Sequence, residues 1–170
     1  MKNFEAIFVE VNRWVLIVLL AAMSVIVFTN VVLRYLTDGS ISWSEEVARH
    51  MMLWLTFLGG GLVLRSGGHI AIDNLQDALP VRGARAVRWV VLLIMVAFLG
   101  LMTYYGCIYV MRTMVQTTAS TEISFGYIYA AMPIGCVLML IHLALIAPEW
   151  LRTRTFAADE DFDATASASL

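Results

Sequence analysis

Long apolar runs separated by short clusters of charge dominate the chain and predict helices that cross a membrane. The first run without a formal charge covers residues 14–33, and two longer ones occur in the second half of the chain. A helix needs about 20 apolar residues to cross a bilayer core, and each run is long enough. We therefore predict spans at about 14–36, 89–111 and 123–147, the last one bent at Pro133 because proline cannot continue the helical hydrogen bonds.

The second span needs a different argument because Arg49 and Arg65 bracket only 15 residues. That is about 22 Å of helix, which is too short for the bilayer core. Ser42-Trp43-Ser44-Glu45 has the pattern of a capping box, so the helix should begin earlier. We predict a span at about 43–64, in which Glu45 and Arg49 are four residues apart and can pair.

The distribution of positive charge predicts the orientation. Eight lysines and arginines lie on the side that holds both termini and the 65–88 loop, against three on the other side. Cytoplasmic loops carry the excess of positive charge, so we expect an all-α integral membrane protein with four transmembrane helices and both termini inside (N-in/C-in). The composition agrees, since 61% of the 170 residues are hydrophobic and 14% are charged.

The segments between and after the spans also have patterns. Ile72, Leu75 and Leu79 recur at helical spacing, which predicts a short interfacial amphipathic helix in the cytoplasmic loop. Arginines come next at intervals of three and are expected to meet lipid headgroups, namely Arg82, Arg85 and Arg88. Residues 1–156 should form a single membrane domain, with its first helix retained, and residues 157–170 an acidic, disordered cytoplasmic tail.

The residues that could carry chemistry are few. No carboxylate lies deep within a predicted span, so we expect no substrate or sodium site on this chain alone. The net charge of −2 gives no sign of nucleic-acid binding. The sequence contains no recognisable catalytic motif or metal-ligand cluster, so we predict no enzyme activity, no metal and no cofactor. Gly59-Gly60-Gly61 is interpreted as a site of close helix packing rather than a hinge.

The histidines and cysteines leave one alternative open. A haem-binding membrane anchor of a redox enzyme would need two histidines facing each other at one depth. Only His69 and His142 approach this condition, and His69 comes directly after two glycines in a predicted loop. Cys107 and Cys136 lie at different depths of their spans, which argues against a disulfide. A stand-alone small transporter is the third possibility, and the missing embedded charges count against it.

An ordered set of short motifs resembles one known family. The sequence has N-V-V-L-R-Y at 30–35, W-S-E-E-V-A-R at 43–49 and R-S-G-G-H-I-A-I-D at 65–73. Pro133-Ile134-Gly135 lies in the last span. These motifs and the four-span layout resemble the small permease (Q-type) subunit of TRAP transporters, the tripartite ATP-independent periplasmic importers.

The resemblance implies a non-transporting subunit of a sodium-coupled, binding-protein-dependent importer of organic acids in the bacterial cytoplasmic (inner) membrane. The implied partners are a large multi-span permease subunit, which this chain would scaffold, and a periplasmic substrate-binding protein, which it would help to dock. Membrane lipids are expected around both subunits. The sequence does not identify the solute, because in this family the binding protein and the large subunit determine it.

The same motifs assign candidate site residues. Those expected to form or brace the periplasmic edge are Arg34, Trp43, Glu45, Glu46 and Arg49, and those on the cytoplasmic side are Arg65, His69 and Asp73. Stabilisation of the fold or contact with lipid headgroups is an equally good interpretation of each. Arg34 and Glu45 could also pair across the outer loop. Replacing both Glu45 and Glu46 with alanine is expected to impair assembly or transport.

Overall fold

The computed structural model describes residues 2–37, 39–65 and 80–153, most of which lie in helices. The helices are α1 (Lys2–Thr37), α2 (Ser44–Arg65), α3 (Val81–Thr113), α4 (Phe125–Tyr129) and α5 (Ala131–Thr153). Four helical segments are long and apolar enough to cross a membrane, with α4 and α5 together forming the last one. The predicted all-helical, four-span fold class is confirmed.

Two helices begin earlier than the apolar runs suggest. Helix α1 includes the polar residues before position 14 because Glu5 and Asn12 lie seven residues apart, on one face that meets other helices. Helix α3 begins directly after Pro80, whose backbone is extended. Arg85 and Arg88 therefore lie in the first turns of α3 rather than in a separate loop.

The helix is interrupted just before Pro133, and the predicted bend at this proline stays a prediction. Helix α4 ends at Tyr129 and α5 begins at Ala131, so the helical pattern breaks just before the proline. The physical reason is that the proline ring clashes with the carbonyl four residues earlier, here that of Tyr129, and offers no N–H to bond it. Pro148, by contrast, lies inside α5, and that helix continues to Thr153, beyond the predicted end of the span at 147.

The long helices pack in the order α1, α2, α5, α3. Helices α2 and α5 run parallel, and each outer helix runs antiparallel to its neighbour. The buried core lies among α2, α3 and α5 and consists of Leu64, Leu99, Cys136, Leu143, Ile146 and Trp150. The most apolar stretch of α1 buries none of its residues within the chain. This order leaves the outer faces of α1 and α3 covered with exposed apolar side chains, such as Phe28 and Leu93, each 69% exposed.

The two ends of α2 lie close to different parts of the chain. The Ser44 end of α2 lies close to the end of α1 and to the connection between α3 and α4. At its Arg65 end, α1 begins. The predicted interfacial helix, His69, Asp73 and the acidic tail lie outside the described residues, and the inside orientation of both termini stays a prediction.

Candidate functional site

Glu46 forms a carboxylate latch at the Ser44 end. Its side chain lies in the first turn of α2 and is only 8% exposed. One oxygen accepts a hydrogen bond from the Ser120 amide at 3.0 Å. The other accepts bonds from the Thr121 amide at 3.1 Å and the Thr121 hydroxyl at 2.6 Å. We call Glu46, Ser120 and Thr121 the latch, because it fixes the α3–α4 connection onto α2 across more than 70 residues of sequence.

The connection held by the latch has its own internal order. The Thr118 amide donates to the Ile123 carbonyl at 2.9 Å, and the Thr118 hydroxyl accepts from the Ile123 amide at 3.1 Å. Glu122 completes the reversal with a φ of 54°, a conformation that is uncommon for a residue other than glycine. Ser124 then caps α4 by accepting from the Gly126 amide. The result is a compact loop with an exposed tip at the Ser44 end of the molecule.

The other residues predicted for this edge are arranged differently. Trp43, Glu45, Arg34 and Arg49 are all exposed. In the part of the chain that the structure describes, the ion pairs join Arg13 to Glu10 and Arg65 to Glu5, and neither the Glu45–Arg49 nor the Arg34–Glu45 pair is formed. Adjacent carboxylates in the sequence thus have different environments, since Glu46 is buried against a loop and Glu45 faces outward.

A second group of polar residues lies toward the Arg65 end and joins α1, α2 and α5. Arg65 forms an ion pair with Glu5 across 60 residues of sequence. Asn12 donates one hydrogen bond from Nδ2 to the Leu58 carbonyl at 3.2 Å and lies 3.4 Å from His142 Nε2. We call Glu5, Asn12, Arg65 and His142 the polar cluster. It holds the first half of α1 to the neighbouring helices through polar side chains.

The contact between Asn12 and His142 relates to the position of the ring proton. Asn12 Nδ2 is a donor only, and it already donates to the Leu58 carbonyl. A hydrogen bond from Nδ2 to His142 Nε2 therefore requires the ring proton to lie on Nδ1. His142 is 0% exposed, and Nδ1 finds no hydrogen-bond partner among the described residues. Arg65 Nη1 is likewise buried without an acceptor in the described chain.

Two glycines make room for this packing. A Cβ on Gly61 would lie 2.3 Å from His142 Cδ2, and one on Gly60 would lie 2.8 Å from Met139 Sδ. A Cβ on Gly59, which faces α1, would have its nearest neighbours at 3.9 Å, an ordinary contact distance. The prediction that the glycine run permits close helix packing is confirmed for Gly60 and Gly61.

Arg88 is held by backbone carbonyls at the end of α5. It is 4% exposed, and its Nη1 donates to the Trp150 and Leu151 carbonyls at 3.1 and 3.0 Å. These carbonyls belong to the last turns of α5, where a cation also suits the helix dipole. Arg85 is exposed, whereas the side chain of Arg82 is not among those described. The predicted contact of these arginines with headgroups stays a prediction, and Arg88 has this second, internal role.

The sequence reasoning missed Asn12, and it gave Glu46 no partner. The available signal for Asn12 was a polar residue seven positions after Glu5 at the start of an apolar run. No local signal connects Glu46 with Ser120, because the contact depends on how the helices pack. His142 is enclosed by Asn12, Gly61 and the Phe8 ring, whose centroid is 4.9 Å away, so it presents no open edge for a haem.

These features define a multi-pass helical membrane protein whose polar side chains serve internal contacts between helices and loops. Residues 23–153 match the family model of the DctQ component of tripartite ATP-independent periplasmic transporters. The chain belongs to this DctQ family, and it is therefore a small subunit of a TRAP transporter, a transport component rather than an enzyme. The resemblance to the small permease subunit of TRAP transporters is thereby confirmed. The family match gives no support to the alternative, a haem-binding membrane anchor of a redox enzyme.

Curated relatives show the same family. The chain is 33% identical over 122 residues to a putative TRAP transporter small permease protein of Haemophilus influenzae, covering 71% of this chain and 73% of the relative. It is 30% identical over 127 residues to the ectoine TRAP transporter small permease protein TeaB of Halomonas elongata, covering 74% and 66%. A match to the isethionate TRAP transporter permease protein DctMQ of Oleidesulfovibrio alaskensis covers 83% of this chain but 22% of that longer protein, at 24% identity.

Proposed function

We propose that this chain is the non-transporting small subunit of a sodium-coupled, binding-protein-dependent importer of organic acids in the bacterial inner membrane. Its role is to scaffold a large permease subunit and to present the latched loop to a periplasmic binding protein. The Ser44 end then faces the periplasm and both termini face the cytoplasm. The names of relatives that carry ectoine or isethionate support a small organic solute as the cargo of the complex.

The observation that carries the scaffold role is the packing order of the helices. A row of helices buries little of its two outer members, and α1 and α3 expose large apolar side chains along their length. In a membrane these faces meet either lipid or another helical protein. The much longer DctMQ relative, of which this chain covers 22%, supports a large permease partner, because its name joins the two components in one protein.

The absence of a coupling site within the described spans agrees with this division of labour. Glutamates of the described helices lie near helix ends, and two of them, Glu5 and Glu46, are held by partners within the chain. An ion-coupled pathway needs an embedded charge that can change partners. The sodium and substrate sites would then belong to the large subunit.

The test is cross-linking of the tagged chain, expressed with its large permease subunit, from single cysteines placed on each outer helix. Val18→Cys reports on α1 and Leu93→Cys on α3, and both positions are more than 60% exposed. The exposed Cys107 is first replaced with alanine, and the buried Cys136 is kept as it is. We expect a cross-linked product with a large multi-span permease from at least one position. Efficient extraction of the chain alone, with no product from either, would contradict the scaffold role.

A second experiment addresses transport. Proteoliposomes that contain the large subunit, the binding protein and a sodium gradient are compared with and without this chain. Uptake should require the chain, whereas vesicles that contain this chain alone should take up no solute. Uptake by this chain alone would overturn the division of labour, and sodium-independent uptake by the full set would overturn the coupling.

A further inference from the structure

A cleft of about 280 Å³ opens between the last turns of α1 and the first turn of α2. Val27 and Val31 form its apolar wall. Its polar side chains include Asn30, Arg34 and Glu45. The cleft therefore combines an apolar wall with one cationic and one anionic group, all at the Ser44 end of the protein.

The polar groups of the cleft divide into those already engaged and those that are not. Asn30 Oδ1 accepts a hydrogen bond from the Ile41 amide at 2.8 Å, and the Ser44 hydroxyl donates to the Ile41 carbonyl at 2.7 Å. Arg34 and Glu45 line the same cleft, yet no ion pair joins them within the described chain. A cation and a carboxylate that share a cleft without pairing are available to a ligand that carries both charges.

The position of the cleft indicates where such a ligand comes from. Tyr35 lines the cleft and is 83% exposed, and Trp43, 42% exposed, precedes α2 at the same end. Exposed tyrosine and tryptophan at the ends of membrane helices mark the level of the lipid headgroups. Val31 and Val27 lie one and two turns further into α1 than Tyr35, toward the hydrocarbon.

We propose that this cleft binds the headgroup of a zwitterionic aminophospholipid. The Arg34 guanidinium and the remaining N–H groups of the Asn30 amide bind the phosphate, and the Glu45 carboxylate binds the primary ammonium. The first part of an acyl chain lies along the valine wall. The phosphate of an anionic lipid without an amine can pair with Arg34, but its negative charge then lies beside an unpaired Glu45 carboxylate. The site therefore discriminates between zwitterionic aminophospholipids and anionic lipids.

Native mass spectrometry of the full chain tests the proposal without reference to transport. The chain is purified in mild detergent, reconstituted in nanodiscs of equal parts phosphatidylethanolamine and phosphatidylglycerol, and released with its retained lipids. Phosphatidylethanolamine should be retained about tenfold over phosphatidylglycerol, the ratio that one charge-assisted contact provides. Equal retention of the two lipids by the unmodified chain overturns the proposal.

Two variants separate the roles of the charges. Arg34→Gln should lower retention of both lipids about tenfold, because both carry the phosphate. Glu45→Gln should remove the discrimination, with less phosphatidylethanolamine and more phosphatidylglycerol retained. Arg112→Gln, an exposed arginine outside the cleft, serves as the matched control and should change neither. Circular dichroism of each variant verifies the helical fold.

The alternative occupant of the cleft is a side chain of the large subunit. If Arg34→Gln and Glu45→Gln leave lipid retention unchanged but reduce recovery of a copurifying permease, the cleft is a protein contact and the lipid proposal is wrong. Because lipid retention is measured on the chain itself, failure of the scaffold role would leave this result unaffected.

Discussion

The latch and the polar cluster, at opposite parts of the molecule, use charged and polar groups in different ways. In the latch a single carboxylate receives three hydrogen bonds, two of them from backbone amides. In the polar cluster the donors outnumber the acceptors, and buried nitrogens of Arg65 and His142 have no acceptor among the described residues. The latch therefore orders a loop, and both oxygens of its carboxylate accept hydrogen bonds. The polar cluster positions α1 but leaves buried nitrogen atoms without acceptors among the described residues, which costs free energy.

The difference arises from what each region connects. A loop offers backbone amides that no helix has used, so one carboxylate can be satisfied completely. Between helices the backbone groups are already paired, and only side chains can complete a polar contact. The cluster also depends on tight packing, since the His142 ring lies against the backbone of Gly61. The comparison predicts that the polar cluster is destabilised by added side-chain volume, whereas the latch is weakened by loss of the carboxylate charge.

The largest effect is expected from Gly61→Ala. Its new Cβ would lie 2.3 Å from His142 Cδ2, so α2 and α5 must move apart, at a cost of about 3 kcal/mol in the free energy of unfolding. SDS titration of the chain in detergent micelles measures this free energy. Gly59→Ala is the matched control, with its nearest neighbour at 3.9 Å, and should be neutral or slightly stabilising. Equal behaviour of the two variants would refute the sensitivity of the cluster to volume.

Glu46→Gln is expected to release the loop with little change elsewhere. The amide side chain keeps the size of the carboxylate but loses its charge and one acceptor oxygen. Amide exchange at Ser120 and Thr121 should accelerate on the order of tenfold, as measured by hydrogen–deuterium exchange. Glu45→Gln, one residue earlier and exposed, should leave both amides unchanged. If replacing both Glu45 and Glu46 with alanine impairs assembly, that effect should then come from the loss of Glu46. Equal effects of Glu45→Gln and Glu46→Gln on the exchange of the two amides would contradict this prediction.

The smallest effect is expected from exchanging the polar pair of the cluster for apolar residues. Asn12→Ala leaves His142 Nε2 without its donor and should cost about 1 kcal/mol of the free energy of unfolding. Combining Asn12→Ala with His142→Leu removes both partners and the unmet Nδ1 group, so the double variant should be less destabilised than the sum of the two single changes. The same SDS titration compares the variants. A double variant as unstable as the sum of its single changes would show that the two residues do not interact.

Much of the fold could be predicted from the chain because apolar run length is a local property. The four spans and the break before Pro133 depend on residues within each segment, and the glycine run that permits close packing is itself visible in the sequence of one helix. The start of α1 could not be predicted in this way. Its first turns are apolar only in part, and what stabilises them is contact with α2 and α5.

The role of the candidate site residues at the periplasmic edge stays a prediction. The sequence assigns Glu45 and Glu46 to the same edge, and nothing in their neighbourhood distinguishes them. Only the position of the α3–α4 connection separates the two carboxylates. Arg88 was grouped with Arg82 and Arg85 by spacing, and the structure gives it two carbonyls of α5 as partners. Contacts between residues far apart in sequence depend on helix packing, which spacing along one helix does not specify.

The amino-acid sequence by itself determines that this protein is a four-span helical membrane protein of the DctQ family. The reason is that span length and short motifs are local features of the sequence. Which polar residues work together depends on the packed structure. The order α1, α2, α5, α3 brings Glu46 to Thr121 and Asn12 to His142, over separations of 75 and 130 residues. Such pairings exist only once the helices have packed, since packing alone sets which faces meet.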